Sequence, residues 1–335
     1  MSGGERMTAD AGARRFGVRD VARLAGVSTQ TVSRVINDHP HIRPETRRRV
    51  VEAMVELDYR VNNAARALGT RTTRTLGVIA SDATLYGPAV GIAALETAAQ
   101  EAGRWIATAY ADAADAASVI GAARRLLAQG VDGLVVLAPH VRTFEALAAS
   151  KPGVRLVALH ADDAASAQRD GAALAVHHLV ELGHRRIARI AGPADWREAA
   201  ERDVGVRDAL DAAALSAELR WEGDWSAASA AALAPAVAET LAEGVTAVVV
   251  ANDQMALGLI SGLRGLGVDV PGQVSVTGFD DNPDAAFYRP ALTTVRLDLV
   301  GEARRAVSAV LGQAPPPSSA PPELVVRAST APPRG

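Results

Sequence analysis

The sequence has 335 residues, a net charge of −3 and no cysteine. The length is typical of two or three domains, and the lack of cysteine excludes disulfide scaffolds, thiolate metal sites and cysteine nucleophiles. No apolar run reaches the roughly 18 residues of a membrane helix, and no signal peptide is visible, so a cytoplasmic protein is expected. No spacing typical of a metal site and no nucleotide-binding motif is present, so neither metal nor cofactor is expected.

Charge is unevenly distributed along the chain. Residues 1–75 hold 14 arginines against eight acidic residues, a net charge of +6, and the remainder carries −9. A basic head on an acidic body indicates that the head meets a polyanion. A solvated basic surface without a partner is the alternative, which charge alone leaves open.

Three helical patterns follow residues 1–17, a polar tail that we expect to be disordered. The first, DVARLAG, ends at Gly26, a residue that accepts a left-handed turn. The second, STQTVSRVIN, has Ser28 as its N-cap. The third, PETRRRVVEAMVELDY, starts at Pro44, and its apolar positions recur every three or four residues. These patterns predict a small helical domain at residues 18–60.

The stretch from Asp20 to Asn37 has the features of a helix-turn-helix: a turn glycine between two short helices and apolar anchors on the second. In the major groove, glutamine pairs with adenine and arginine with guanine. We predict base-reading side chains at Thr29, Gln30, Ser33 and Arg34. Contacts to phosphate are predicted at Ser28, Thr31, Arg47, Arg48 and Arg49. A helical bundle with a solvated polar face is the alternative.

Beyond the head, the pattern changes from helices alone to alternating strands and helices. The short basic stretch VNNAARALGTRTTRT comes first; its helix is too short to be stable alone, so we expect it to order only on DNA. Strand-like runs then alternate with alanine-rich helical runs, and they include TLGVIA (75–80), GLVVLA (133–138), RLVAL (155–159), RIARIAG (186–192), TAVVVA (246–251) and VSVTGF (274–279). This alternation predicts parallel sheets with crossover helices, in two lobes. A Pro/Ser linker (314–322) and a last strand in ELVVRAST (323–330) end the pattern.

A cleft between two α/β lobes is a usual place for a small ligand. Trp225 offers an aromatic face, and Arg202 a planar fork of donors. Asn252 and Asp253 follow TAVVVA, and Asp280 follows VSVTGF, so they lie at carboxyl ends of strands, where ligands bind in such sheets. A core tryptophan, a solvated helix face and helix caps are the structural alternatives.

The head sequence VRDVARLAGVSTQTVSRVIND resembles the lactose repressor/galactose repressor (LacI) family of bacterial regulators. The likeness continues through LVELGHRRIARIAGP, WEGDWSA, VANDQMALG, GFDD and YRPALTTVRLD, over about residues 18–330, and is strongest to the family's lactose-responsive member. The resemblance implies an all-α helix-turn-helix head and an α/β, two-lobe body with parallel sheets like those of periplasmic binding proteins. It also implies a homodimer on a palindromic DNA operator and a sugar effector.

The resemblance assigns residues 18–60 to the DNA-binding head, 61–73 to a hinge helix and linker, and 74–331 to effector binding and dimerisation, before a tail at 332–335. The first lobe is expected at about residues 74–166 and 296–323, and the second at about 167–295 and 324–331. In the hinge, the matching residues that enter the minor groove are Asn62, Ala65 and Leu68. Leu68 would wedge between bases and kink the duplex; an ordinary helix-to-core contact is the alternative. The family's tetramer-forming C-terminal coil has no counterpart, so a dimer is expected.

The resemblance places effector contacts at Ser81, Leu85, His160, Arg202, Trp225, Asn252 and Asp280. His160 stands where the family usually has an aspartate, Leu297 replaces a glutamine and Ser166 replaces an aromatic residue. A neutral histidine donates and accepts hydrogen bonds but does not copy a carboxylate. The expected inducer is a β-galactoside such as lactose or allolactose, with another glycoside as the alternative.

The expected function is therefore that of an allosteric repressor of a sugar-utilisation operon. A sugar releases the repressor from its operator because the sugar binds the two conformational states of the repressor with different affinities. One alternative is the same regulator with a corepressor that tightens DNA binding. A two-lobe sugar-binding transport protein would need an export signal and no DNA-binding head. An enzyme could use His184, Asp253, Asp280 and Asp281, but these form no recognisable catalytic spacing.

Overall fold

The computed structural model describes residues 16–37, 39–60, 72–81, 84–137, 140–159, 163–314 and 319–334. Contacts divide the chain into two units, residues 1–73 and 74–335. The predicted hinge contacts at Asn62, Ala65 and Leu68 lie outside the described residues, as do residues 1–15 of the predicted tail. Within the described part of the chain, no helix is long and apolar enough to span a bilayer.

The first unit consists, where described, of the helices α1 (Val18–Ala25), α2 (Thr29–Ile36) and α3 (Pro44–Glu56). α1 ends at Gly26 in the left-handed conformation, with φ of 64°. Ser28 caps α2, because its Oγ accepts a hydrogen bond from the backbone N–H of Thr31 at 3.1 Å. Both caps confirm the sequence predictions. The core that joins the helices contains Val21, Ala22, Ala25, Val32, Val35, Val50 and Ala53.

The second unit alternates strands and helices along the chain. Its strands are β1 (Thr75–Ala80), β2 (Trp105–Tyr110), β3 (Gly133–Val136), β4 (Arg155–Ala158), β5 (Ile187–Ala191), β6 (Arg220–Glu222), β7 (Ala247–Val250), β8 (Ser275–Thr277), β9 (Thr294–Arg296) and β10 (Glu323–Val325). Its helices are α4 (Tyr86–Glu101), α5 (Ala116–Ala128), α6 (Val141–Ala149), α7 (Asp163–Glu181), α8 (Arg197–Ala212), α9 (Ala227–Leu241), α10 (Asp253–Gly265) and α11 (Leu299–Leu311). A 3₁₀ turn covers Pro283–Phe287.

Two parallel sheets form two lobes, with strand orders β2-β1-β3-β4 in the first and β6-β5-β7-β8 in the second. The inner strands β3, β5 and β7 are buried along their whole length, since a parallel sheet is covered by helices on both faces. This confirms the prediction of two parallel sheets. The edge strands β2 and β6 are partly exposed, and they were not among the predicted runs.

The end of the chain connects the two lobes. α11 packs against α4, β3 and β4 of the first lobe, and β10 then pairs antiparallel with β9. The strand predicted in residues 323–330 is present but shorter. Beyond β10, Ser329 Oγ donates to the carbonyl of Val276 in β8 at 2.6 Å, which fastens the terminal segment to the second sheet. The predicted lobe boundaries stay a prediction.

Candidate functional site

The outer face of α2 presents a group of polar side chains. Val32 and Val35 are buried in the head core and Ile36 packs against it, so the apolar side of this two-turn helix faces inward. The four predicted base-reading residues are all exposed: Thr29, Gln30, Ser33 and Arg34. A recognition helix enters the major groove with such a face. Their individual contacts with bases stay predictions.

The predicted phosphate-binding arginines each have a partner within the head. Arg49 Nη2 donates to the carbonyl of Gly26 at 3.2 Å and so ties α3 to the turn between α1 and α2. Arg48 lies 3.7 Å from Glu52 in an exposed pair, which is worth little free energy and is easily exchanged. Arg47 donates to a backbone carbonyl. Arg49 therefore positions the helix pair, and the phosphate contacts of all three remain predictions.

A cleft lies between the two lobes of the second unit. The first lobe, together with Leu297 and Leu299, contributes mainly apolar side chains, and the second lobe contributes most of the polar ones. Its lining consists of Leu85, Tyr86, Gly87, Pro88, Leu137, Gln168, Trp196, Glu198, Arg202, Trp225, Asn252, Gln254, Asp280, Leu297 and Leu299.

Arg202 is the central polar group of the cleft. It projects from α8, and its Nη2 donates to Asp280 Oδ1 at 3.0 Å. Its Nε donates to Gln168 Oε1 at 2.8 Å, and Nη1 donates to the carbonyl of Ala251 at 2.6 Å. The guanidinium lies 3.8 Å from the ring centre of Phe279, over the ring. These bonds use three of its five N–H groups, which holds the fork in one orientation.

Trp225 is both a core residue and part of the cleft wall. Its side chain is 5% exposed, and its ring meets that of Trp196 edge-on at 5.7 Å. A Cβ at Gly192 would come within 2.3 Å of the Trp225 ring, so only glycine leaves room for it. Trp225 also has a φ of 75°, and Asp280 one of 105°. Such strained backbone is typical of binding sites, where surrounding contacts hold it in place.

Asn252 and Asp253 serve the architecture more than the cleft. Asn252 caps α10, with its Oδ1 accepting from the N–H of Met255 at 2.9 Å. Asp253 is 1% exposed and accepts hydrogen bonds from Thr294 and from the backbone of Asn282. Burial, followed by the nearby charge of Asp280, raises the pKa of Asp253 well above its usual range. For Asn252 the structure therefore shows the helix cap, the alternative named from the sequence, in a residue that also lines the cleft.

The cleft brings together most of the predicted effector contacts, namely Leu85, Arg202, Trp225, Asn252 and Asp280. Ser81 instead lines a smaller cavity of about 220 Å³, next to His140. Leu297 lies in the cleft wall and Ser166 is exposed. His160 lies outside the described residues.

The sequence reasoning missed five polar or aromatic residues of the described cleft lining: Tyr86, Gln168, Trp196, Glu198 and Gln254. Glu198 and Arg202 are four residues apart on α8, so both face the cleft. That spacing is visible in REAAER and would have revealed Glu198. Gln168 offered no comparable signal, because its role depends on α7 packing beside α8.

Among the described residues, polar contacts join the lobes beside the cleft. The backbone N–H of Tyr86 donates to Gln254 Oε1 at 3.2 Å, and His140 Nδ1 lies 2.9 Å from Asp195 Oδ2. The pKa of the Tyr86 phenol is raised by burial, with a further contribution from nearby acidic side chains led by Asp280. The lobes therefore meet through residues that border the cleft.

The residues considered for catalysis do not assemble into a catalytic group. His184 is buried, donates from Nε2 to the carbonyl of Ala331 and accepts at Nδ1 from Thr246. Asp281 forms ion pairs with Arg296 and Arg327, both at 2.6 Å. In the described ranges, no cluster of histidine and acidic residues could hold a metal ion.

Two family models match the chain. The model of bacterial regulatory proteins of the lacI family matches residues 18–62, and that of the periplasmic binding protein-like domain matches residues 176–330. The lactose operon repressor of Escherichia coli K12 is 35% identical over 83% of this chain and 79% of its own length. The regulator GalR of Salmonella typhimurium LT2 is also 35% identical, over 90% of this chain and 91% of its own.

Solved structures agree over nearly the whole chain. The Lac repressor dimer bound to operator and the anti-inducer ONPF has a TM-score of 0.74 at 32% identity, covering 95% of this chain and all of that chain. The complex of the transcriptional regulator CelR with cellobiose has a TM-score of 0.66 at 30% identity, covering 94% of this chain and all of that one.

Proposed function

The chain belongs to the lacI family of bacterial regulatory proteins and is a DNA-binding transcriptional repressor, not an enzyme, and we propose that a neutral sugar bound in the cleft releases it from its operator. The observation that carries the effector proposal is the Arg202–Asp280 pair beside Trp225 in the cleft. Polar forks and an aromatic face together suit the hydroxyl edge and the C–H face of a sugar ring.

On the DNA side, the exposed residues of α2 are proposed to read bases in the major groove of a palindromic operator. A homodimer presents two such helices to two half-sites. The hinge residues Asn62, Ala65 and Leu68 are proposed to enter the minor groove between them. We propose that the protein carries out this action in the cytoplasm.

Transmission from cleft to head is proposed to use the contacts between the lobes. Tyr86 and His140 of the first lobe meet Gln254 and Asp195 of the second at the border of the cleft. A sugar that fits one arrangement of the lobes better shifts the population toward it. To move a population from 99:1 to 1:99, this preference must reach about 5.5 kcal/mol.

As the sugar we propose a β-galactoside such as lactose or allolactose. The relative named as a lactose operon repressor favours it, whereas the complex of CelR with cellobiose is the precedent for another glycoside.

The test is a gel-shift titration of the full-length protein on the DNA upstream of its own gene. Lactose, allolactose, a non-metabolised β-galactoside and cellobiose are added in turn, with unrelated DNA as the control. We expect binding to the upstream DNA alone and release by a β-galactoside. Release by cellobiose instead would contradict the galactoside assignment, tighter binding would reverse the inducer assignment, and equal affinity for both DNAs would contradict the predicted reading face.

A further inference from the structure

Glu198 is a buried carboxylate of the cleft that has an unused oxygen. It lies in the first turn of α8, lines the cleft and is 7% exposed. Among the described residues, its Oε2 has no hydrogen-bond partner. A buried acceptor without a donor costs free energy, so a donor brought in by a ligand would relieve that cost.

The neighbouring charges do not neutralise Glu198. Arg202 follows it by one helical turn, but the guanidinium donates to Asp280, Gln168 and a backbone carbonyl. The described lining of the cleft has three charged residues: Glu198, Arg202 and Asp280. Because Arg202 pairs with Asp280, this lining has no further cation to neutralise the negative charge of Glu198. The N-terminal turn of α8 stabilises this charge in part through its helix dipole.

A second unused polar atom belongs to Trp225. Its Nε1 is buried and, in the described part of the chain, has no acceptor. Within the described residues, the cleft wall thus contains one acceptor and one donor that have no hydrogen-bond partner. A hydroxyl group both donates and accepts, and a polyhydroxylated ring carries several of them.

We propose that Glu198 determines the specificity of the cleft: its carboxylate accepts a hydrogen bond from a hydroxyl of a neutral sugar and excludes anionic sugars. This inference rests on the proposed sugar-binding function. At neutral pH, the anionic group of a sugar phosphate or a uronate offers Glu198 acceptor oxygens where a donor is needed. Its negative charge also repels the carboxylate of Glu198, most strongly where the ligand displaces water. A neutral sugar avoids both penalties.

The test measures binding to the full-length protein by calorimetry, with tryptophan fluorescence as a second readout. The probes are methyl β-D-galactoside, its monodeoxy analogues, methyl β-D-galactosiduronate and galactose 6-phosphate. The variants are Glu198→Ala and Glu198→Gln. Glu201→Gln is the matched control, because Glu201 is on the same helix but pairs with Arg169 at 2.8 Å and does not line the cleft.

We expect Glu198→Ala to weaken binding of the neutral galactoside about 10- to 150-fold, the range for a hydrogen bond to a charged group. One monodeoxy analogue should show a comparable loss with the unmodified protein and no further loss with this variant. Glu198→Gln keeps the shape of the side chain and an acceptor oxygen, so it should lose less affinity for the galactoside than Glu198→Ala does. Because it also removes the negative charge, the difference in affinity between the galactoside and the uronate should become smaller. Glu201→Gln should bind like the unmodified protein.

The proposal is overturned if Glu198→Ala binds the galactoside unchanged, or if each deoxy penalty is the same with and without the carboxylate. Tighter binding of the uronate or the phosphate than of the neutral galactoside would also overturn it. Thermal melting of Glu198→Gln separates a loss of fold from a loss of the contact. A galactoside that binds through Glu198 without releasing the operator would contradict the proposed induction and leave the specificity assignment standing.

Discussion

Replacing Arg202 with alanine removes the group that joins three parts of the second lobe. The change leaves Asp280 without its cation, and the Asp280 side chain is only 14% exposed. It also leaves the 1% exposed Gln168 and the carbonyl of Ala251 without their donor. The loss in free energy of unfolding of this variant therefore measures the effect of an uncompensated charge and of unmade hydrogen bonds in a buried site.

The magnitude follows from these contacts. Removing one partner of a buried ion pair costs about 3–5 kcal/mol, because the other charge stays buried and unpaired. Asp280 keeps some contact with solvent, and water can enter the space of the lost side chain, so we expect a somewhat smaller loss, about 2–4 kcal/mol in the free energy of unfolding.

The assay is urea unfolding followed by tryptophan fluorescence at a fixed protein concentration, because dimerisation makes stability depend on concentration. The protein has four tryptophans, at positions 105, 196, 221 and 225, and all lie in the second unit. The signal thus reports that unit alone. The midpoint should fall while the slope with urea stays the same.

Two further variants test the reasoning. Arg207→Ala removes an exposed arginine of the same helix, 3.5 Å from Asp203, and should cost less than about 1 kcal/mol. Adding Asp280→Asn to Arg202→Ala removes the unpaired charge and should restore part of the stability. Equal losses for Arg202→Ala and Arg207→Ala, or no recovery in the double variant, would refute the account. In gel shifts, Arg202→Ala should bind the operator and resist release by sugar; normal release would show that the cleft is misassigned.

Three other outcomes are expected. Burial lowers the pKa of His184 below its usual 6.5, so the unfolded chain binds a proton that the folded chain does not. The free energy of unfolding, measured by urea titration, should therefore decrease as pH falls through 6.5. His184→Asn should make this dependence on pH weaker. Gly192→Ala pushes a Cβ against Trp225 and should cost about 1–3 kcal/mol and weaken sugar binding; unchanged melting and affinity would contradict the packing. Gln30→Ala should lose about 1–3 kcal/mol of affinity and relax preference at one operator base pair, whereas Arg48→Ala should weaken all sequences alike in salt-dependent gel shifts; a uniform loss in both would contradict base reading by Gln30.

Local signals predicted most of the fold. Gly26 and Ser28 end and start helices through interactions within a few residues, so their roles can be predicted from sequence. The inner strands are continuous apolar runs because both faces are covered. The edge strand Trp105–Tyr110 has exposed and half-buried positions instead, and such a run has no distinctive apolar pattern.

Some residues of the candidate site were predictable from their type and position, but their arrangement was not. Arg202, Trp225 and Asp280 were found as types of side chain suited to a sugar, yet Arg202 and Asp280 are 78 positions apart and meet only because α8 and β8 belong to one lobe. Asn252 shows a second limit: its position after a strand predicted a ligand contact, which stays a prediction, and the structure adds a helix cap at the same residue of the cleft wall.

By itself the sequence determined the head's helices, the inner strands and the chemical types available to the cleft, since these depend on contacts between near neighbours and on hydrophobic periodicity. The tertiary structure alone decided which charges are neutralised. Packing of the second lobe commits Arg202 to Asp280, Gln168 and a backbone carbonyl and leaves Glu198 Oε2 without a donor in the described chain. That outcome depends on the positions of groups distant in sequence within a space of low dielectric, which no local pattern encodes.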